Sequence, residues 1–184
     1  MKKVILSSFL FFLISSISYS QSKLPECKPT DKVLYHNCYG KKIYGRNGEY
    51  YEAEFKNNLP VGEIKYSNGE KYIGEWNNDK GPHGKGTFTF ADGSKQVGIF
   101  KNGLLEGDGK SFLSNGKILY DGKYKNGTPD GWGTLYDDEG GNYKSKFKNG
   151  LPDGVGLETT SDGQKIVREW KDGKPVEGRK KSRE

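Results

Sequence analysis

Few groupings of side chains in this sequence are spaced to transfer a proton, attack a carbonyl or hold a metal. His36 and His83 are the two histidines, and neither has an acid, serine or cysteine at a spacing that defines a catalytic set. A histidine acting as general base needs a partner within hydrogen-bond reach, so His83 in "GPHG" reads as a solvated turn residue. Gly107 to Ser111 spell "GDGKS", which resembles the end of a phosphate-binding loop. The earlier glycine such a loop needs falls on Leu104, and the segment patterns as a strand rather than strand, loop and helix. Asp137, Asp138 and Glu139 cluster in "DDEGG" without the alternation of a calcium loop. Asn126-Gly127-Thr128 fits a glycosylation sequon but sits on a turn that the repeats require. These residues assign no catalytic residue, no cofactor site and no metal site.

Cys27 and Cys38 are the two cysteines, with ten residues between them. An even count in an exported chain favours a disulfide, worth about 2–3 kcal/mol through restriction of the unfolded chain. A metal site that includes His36 is the rival reading, but two Cys and one His make a poor tetrahedral set.

Export is read from the first residues. Lys2 and Lys3 precede an apolar run from Val4 to about Ile17, and Ser18-Tyr19-Ser20 supplies the small residues of a cleavage site. Residues 1–20 therefore read as a signal peptide, and the apolar run is too short for a comfortable membrane span. The expected product is periplasmic, associated with the cell envelope, or secreted, and bacterial in character. Lys2 and Lys3 leave with the leader, so the net charge falls from +6 to +4. The tail 179–184, "RKKSRE", holds four bases and one acid, which leaves +1 for residues 21–178. So small a charge excludes a nucleic-acid-binding surface on the body. Arg179, Lys180, Lys181 and Arg183 are the candidate contacts to lipid phosphate. The chain has 27 glycines and only 32% hydrophobic residues, too little for a thick two-layer core, and its aromatics point to thin β-structure.

What must position all of these residues is a repeat. Five-residue units begin at Tyr51 ("YEAEF"), Tyr72 ("YIGEW"), Gln96 ("QVGIF"), Tyr120 ("YDGKY"), Tyr143 ("YKSKF") and Ile166 ("IVREW"), at spacings of 21, 24, 24, 23 and 23 residues. Each unit ends on an aromatic: Phe55, Trp76, Phe100, Tyr124, Phe147 and Trp170. Asn-Gly or Asp-Gly turns follow most units, then a G-x-G pair, then a second turn. Such turns take positive φ cheaply, so each repeat predicts a β-hairpin and a turn into the next. Alternation places Tyr72, Gly74 and Trp76 on one strand face, and Gly84, Gly86, Phe88 and Phe90 on one face of the returning strand. Rings from one strand are then expected to lie over the bare glycines of its neighbour. Residues 21–37 read as a cap segment, tied by the disulfide against a leading half-repeat that begins at Cys38. Residues 38–178 read as an array of about six and a half repeats, roughly 60 Å long at the usual strand spacing.

"YIGEWNNDKGPHGKGTFTFADGSK" and "YDGKYKNGTPDGWGTLYDDEGGN" resemble the MORN (membrane occupation and recognition nexus) repeat, Y-x-G-x-W/F-x-x-G-x-x-x-G-x-G followed by aromatics and a D/N-G turn. The resemblance covers Cys38 to about Gly178. It implies an all-β fold, an elongated, twisted, single-layer antiparallel sheet of hairpins with a groove lined by aromatics. Gln96 and Ile166 depart from the first Tyr, Arg168 from the Gly, and Glu158 stands where an aromatic is usual.

MORN proteins are usually scaffolds, protein-binding surfaces or phospholipid binders; with the leader and the absence of a catalytic set, the expectation is a non-catalytic exported scaffold. The expected partner is another protein or a second copy of the chain; anionic phospholipid is the alternative, and an enzyme the least favoured. The candidate binding aromatics are Tyr51, Phe55, Tyr72, Trp76, Phe88, Phe90, Phe100, Tyr120, Tyr124, Tyr143, Phe147 and Trp170. The competing expectation is that these rings are the core itself, packed over glycine to hold the sheet together.

Overall fold

The computed structural model describes residues 24–27, 35, 37–44 and 49–176. The leader 1–20, His36, the Asn47-Gly48 turn and the basic residues Arg179, Lys180, Lys181 and Arg183 lie outside the described residues. What is described contains strands and turns and no helix. In chain order the strands are β1 (Cys38–Ile43), β2 (Tyr50–Lys56), β3 (Leu59–Tyr66), β4 (Lys71–Asn77), β5 (Gly81–Thr89), β6 (Lys95–Lys101) and β7 (Leu104–Phe112). They continue as β8 (Ile118–Lys125), β9 (Thr128–Tyr136), β10 (Asn142–Lys148), β11 (Leu151–Pro152), β12 (Gly154–Thr159), β13 (Lys165–Lys171) and β14 (Lys174–Pro175). All 14 form one open antiparallel sheet in sequence order, with β11 a short spur on β10. This is the single-layer, all-β ladder of hairpins that the repeat implies.

The two turns of each repeat differ in chemistry. Between the strands of one hairpin, Asn102-Gly103, Asn126-Gly127, Asn149-Gly150 and Asp172-Gly173 have positive φ at both positions, the geometry of the tight primed turn. The turn into the next hairpin instead has a side chain folding back on the backbone. Asn68, Asp92 and Asn115 each accept from the amide two residues on, at 3.1, 2.8 and 2.9 Å.

The primed turns are also tied to the preceding repeat. The amides of Gly103, Gly127, Gly150 and Gly173 donate to the carbonyls of Pro82, Leu105, Pro129 and Pro152, at 2.8–3.0 Å. Each bond spans one repeat, so the turns stack into a column along one margin of the sheet.

The glycines of G-x-G divide the labour. Hairpin pairing slips by a bulge between Gly74 and Trp76, Gly98 and Phe100, and Gly122 and Tyr124. The first glycine of the returning strand sits at this slip with positive φ, as in Gly84 (+80°) and Gly107 (+76°), where a side chain would be strained. The second glycine is extended and lies in a row that crosses the sheet. Gly74, Gly86, Gly98 and Gly109 are successive partners, followed by Gly122 and Gly133, then Ser145. Rings and one leucine cover this row. A β-carbon on Gly86 would lie 2.6 Å from Cε2 of Tyr72, and one on Gly109 would lie 2.7 Å from Cδ2 of Leu105. The core is this one layer of rings, with Ala53, Ile64 and Leu105 fully buried among them.

At the amino-terminal margin the Cys27–Cys38 disulfide is formed, with a Cα–Cα distance of 5.0 Å. Glu26 makes a parallel bridge to Tyr39, secured by Cys27 N–H to Tyr39 O at 2.7 Å and Tyr39 N–H to Pro25 O at 2.8 Å. The half-sulfur Cys38 faces Phe55, the register position that Gly84 holds opposite Phe100.

Candidate functional site

The ring-covered face begins from the alternation of each five-residue unit, which turns its first and fifth side chains the same way. Tyr72 meets Phe100 of the next repeat at 5.3 Å between ring centroids, and Tyr120 meets Phe147 at 4.9 Å, both edge to face. Such pairs add about 0.5–1.5 kcal/mol beyond burial. The tyrosine hydroxyls close the bulges: Tyr72 donates to Glu75 O at 2.9 Å and Tyr120 to Lys123 O at 3.3 Å. Tyr124 Oη and Ser111 Oγ are hydrogen-bonded to each other. Burial raises the tyrosine pKa values, to about 12 for Tyr51 and Tyr72 and further for Tyr66 and Tyr120.

Of the twelve rings singled out from the sequence, Tyr51, Phe55, Tyr72, Phe100, Tyr120, Tyr124, Tyr143 and Phe147 are buried. Trp76, Phe88, Phe90 and Trp170 are half-buried. The structure therefore brings all twelve to one face, but most of their surface is in contact with neighbouring repeats. Cys27 and Cys38 are buried at the margin. The four basic candidates Arg179, Lys180, Lys181 and Arg183 fall outside the described residues.

The opposite face holds what sequence reasoning did not single out. Ile73 (54%), Val155 (55%) and Val167 (72%) are strongly exposed, and Val97, Ile99 and Leu157 are exposed beside them. Cross-strand register sorts them into two patches. Ile73 and Val97 share Thr87 as a partner, with Ile99 opposite Lys85, while Leu157 pairs with Val167. A charged middle joins the patches, where Lys110 pairs with Asp121 and Lys123 with Asp108, each at 2.7 Å. Beside these, Lys146 Nζ stands 5.6 Å from the ring centroid of Trp132, which is 53% exposed. The alternate positions of the second, third and sixth units carried this signal, since Ile73, Val97, Ile99 and Val167 are β-branched where lysine or glutamate would suffice.

One end of the ring face is built differently. Tyr143 pairs across the strand with Glu158, and Arg168 takes the position that glycine holds in the row. Arg168 Nε donates to Glu158 Oε2. With an acid where a ring is usual, the layer opens into a cavity of about 360 Å³, lined by Leu135, Tyr143, Pro152, Trp170, Pro175 and the ion pair. Among the described residues, no group of three or more His, Cys, Asp or Glu is placed to hold a metal ion. His83 stands apart from the cavity, on β5.

The family model for the MORN repeat matches this chain at residues 51–63, 72–95, 97–118 and 143–165. The unmatched stretch between the last two has the same register, with Tyr120 opposite Leu135 and Gly122 opposite Gly133. A similar curated protein is "MORN repeat-containing protein 4 homolog" of Drosophila melanogaster, 44% identical over 46 residues, which are 25% of this chain and 23% of that protein. The chain thus matches less than a quarter of that relative's length. Matched repeats, glycine row and ring layer agree, and the chain is a MORN-repeat protein, of a repeat family often engaged in protein or membrane interactions.

Proposed function

We propose that this chain is an exported, non-catalytic scaffold that binds another protein or a second copy of itself through the surface its hairpins create together. The observation that carries this is the exposed face with two apolar patches, Ile73, Val97 and Ile99 at one end and Val155, Leu157 and Val167 at the other. Contiguous exposed apolar surface rimmed by charge commonly marks a contact site, and a rigid sheet presents it with little ordering cost. The ring face supports the same reading at its margins, where Trp76, Phe88 and Phe90 keep part of their surface. The test is crosslinking of the full chain in envelope extracts and sedimentation of the purified protein. A partner or dimer that is lost in Ile99→Lys with Val167→Lys supports the proposal. A strict monomer that crosslinks to nothing sinks it.

Peripheral attachment to anionic phospholipid is the second reading, favoured by exposed Trp132 beside Lys146 and by the basic residues Arg179, Lys180, Lys181 and Arg183. Amphipathic rings flanked by cations suit a lipid interface. Liposome flotation with and without acidic lipid, on the full chain and on one ending at residue 178, decides it. Absence of flotation for both removes this reading.

A further inference from the structure

Two side chains break the repeat in the same place, and they touch. Glu158 occupies the register position of Phe88 and Leu135, and Arg168 that of Gly74, Gly98 and Gly122. The pair forms at the rim of the ring layer, with the Arg168 side chain 47% and the Glu158 side chain 30% exposed. Together they form an ion pair beside a cavity of about 360 Å³ whose other walls are mixed, Leu135, Pro152, Trp170 and Pro175 with Asp137 and Asn142 among them. That volume is in the range of small-ligand sites.

Among the described residues, Trp170 Nε1, Tyr143 Oη and Ser145 Oγ are buried at this end with no hydrogen-bond partner, as is Trp76 Nε1 in the second unit, and a buried polar group normally has one. Trp170 and Tyr143 line the cavity themselves, while Ser145, fully buried, follows Tyr143 by one alternation of the same strand. An indole N–H can only donate. Glu158 takes the Nε of Arg168, which fixes the guanidinium and leaves its Nη edge for a second acceptor, in the planar geometry that carboxylates fit. Asp137 also lines the cavity, but its Oδ1 already accepts from the amides of Glu139 and Gly141 at 2.9 and 2.7 Å. A cationic guest would compete with Arg168 for Glu158.

We propose that this cavity binds a carboxylate carried on an apolar body, the carboxylate on Arg168 Nη, the body against Leu135, Tyr143, Pro152, Trp170 and Pro175. Glu158 is the positioning residue that holds the guanidinium in place. The same chemistry is offered by a small organic acid and by the α-carboxylate that ends a protein chain with an apolar residue. The site goes beyond the scaffold reading and does not depend on the exposed patches of the opposite face.

The test follows the indole N–H resonance of Trp170 in the full chain, assigned with Trp170→Phe, during titration with three probes. These are N-acetyl-phenylalanine, its C-terminal amide, and 3-phenylpropionate. The expected result is a saturable shift with the acids, none with the amide, and binding weakened by about tenfold or more in Arg168→Gln, which loses a charge-assisted bond. Equal binding of both acids identifies a small acid as sufficient, and binding of the acetylated amino acid alone identifies a chain terminus. Glu158→Phe with Arg168→Gly restores ring over glycine and is expected to fold and not to bind; should it fail to fold, Arg168→Gln carries the test. The proposal is overturned if no acid moves the resonance, if the amide binds as well, or if Arg168→Gln binds unchanged. Crosslinking through the other face is read separately, so failure here and failure of the scaffold reading remain distinct.

Discussion

The ring of Tyr120 lies across the bare α-carbon of Gly133 on the paired strand, where a β-carbon would stand 2.7 Å from Cε2. Tyr72 stands in the same way over Gly86, and Leu105 over Gly109. A sheet one layer thick has no second layer to bury its face, so each repeat covers its own backbone with its own ring. This explains how a chain with 27 glycines and little aliphatic content forms a sheet of 14 strands among its described residues. It also explains why most of the rings have little surface left to offer a partner.

Gly133→Ala is expected to lower stability by about 1–3 kcal/mol through overpacking against Tyr120. In a Tyr120→Ala background the sign should reverse, because alanine is a better strand residue than glycine by about 0.5–1 kcal/mol once the ring is gone. Urea denaturation of the four proteins of this cycle measures the coupling. A cost for Gly133→Ala that is unchanged without the ring would contradict the arrangement.

The acid before G-x-G has a task that spacing alone did not show. Glu106 Oε2 accepts from the amide of Asn126 at 2.9 Å, and Asp130 Oδ2 from that of Asn149 at 3.4 Å. Each carboxylate caps the primed turn of the next repeat. Glu106→Ala should cost about 0.5–1.5 kcal/mol and speed hydrogen exchange at Asn126 while Asn149 is unaffected. Asp130→Ala should act on Asn149, and more weakly, because its bond is longer. Uniform exchange at Asn126 in both proteins would rule the cap out.

What was legible in the sequence is what period and turn chemistry dictate. Aromatics at the first and fifth positions, Asn-Gly and Asp-Gly at the reversals and paired glycines placed the hairpins, their order and the ring face. The bulge that separates Gly84 from Gly86 in function was not legible, because both are simply glycine until φ is known. Glu158 and Arg168 were visible as departures, but that they meet required the register of β12 and β13, set by strands on both sides. Ile73, Val97 and Val167 were not singled out, since alternation gives the side of the sheet but not what else lies there. Their clustering comes from cross-strand register, with Ile73 and Val97 on either side of Thr87 and Leu157 opposite Val167, which local pattern does not contain.

Loss of the disulfide should act locally. Cys27→Ser with Cys38→Ser removes a link that holds Leu24–Cys27 beside β1, and the expected cost is about 2–3 kcal/mol. In a repeat array this cost stays near the end at which it falls, since each hairpin contacts only its neighbours. Hydrogen exchange should accelerate over Cys38–Ile43 and fade by β4, with β8 to β10 unchanged. Acceleration spread evenly along the sheet would mean that the array unfolds as one unit.

The buried tyrosines set the alkaline limit. Burial lifts Tyr72 to about 12, with the Glu75 charge adding to the rise and the amide of His83 opposing it, and burial likewise lifts Tyr51 to about 12. Unfolded tyrosine ionises near about 10. Between these values the folded chain keeps protons that the unfolded chain releases, so stability is fully present below about pH 10 and is lost as pH rises through about 12. Lys110, raised by its bond and charge pairing with Asp121, loses stability in the same direction, so the tyrosine share needs its own variant. Tyr72→Phe should flatten the fall over that window by about one proton, ~1.4 kcal/mol per pH unit, while forfeiting about 1 kcal/mol at neutral pH with the bond to Glu75. Urea midpoints from pH 7 to 12, read beside tyrosinate absorbance of the folded protein, give both quantities. A native spectrum in which every ring titrates together near 10, or a slope that Tyr72→Phe leaves untouched, would show that these hydroxyls are not the groups whose burial stabilises the sheet.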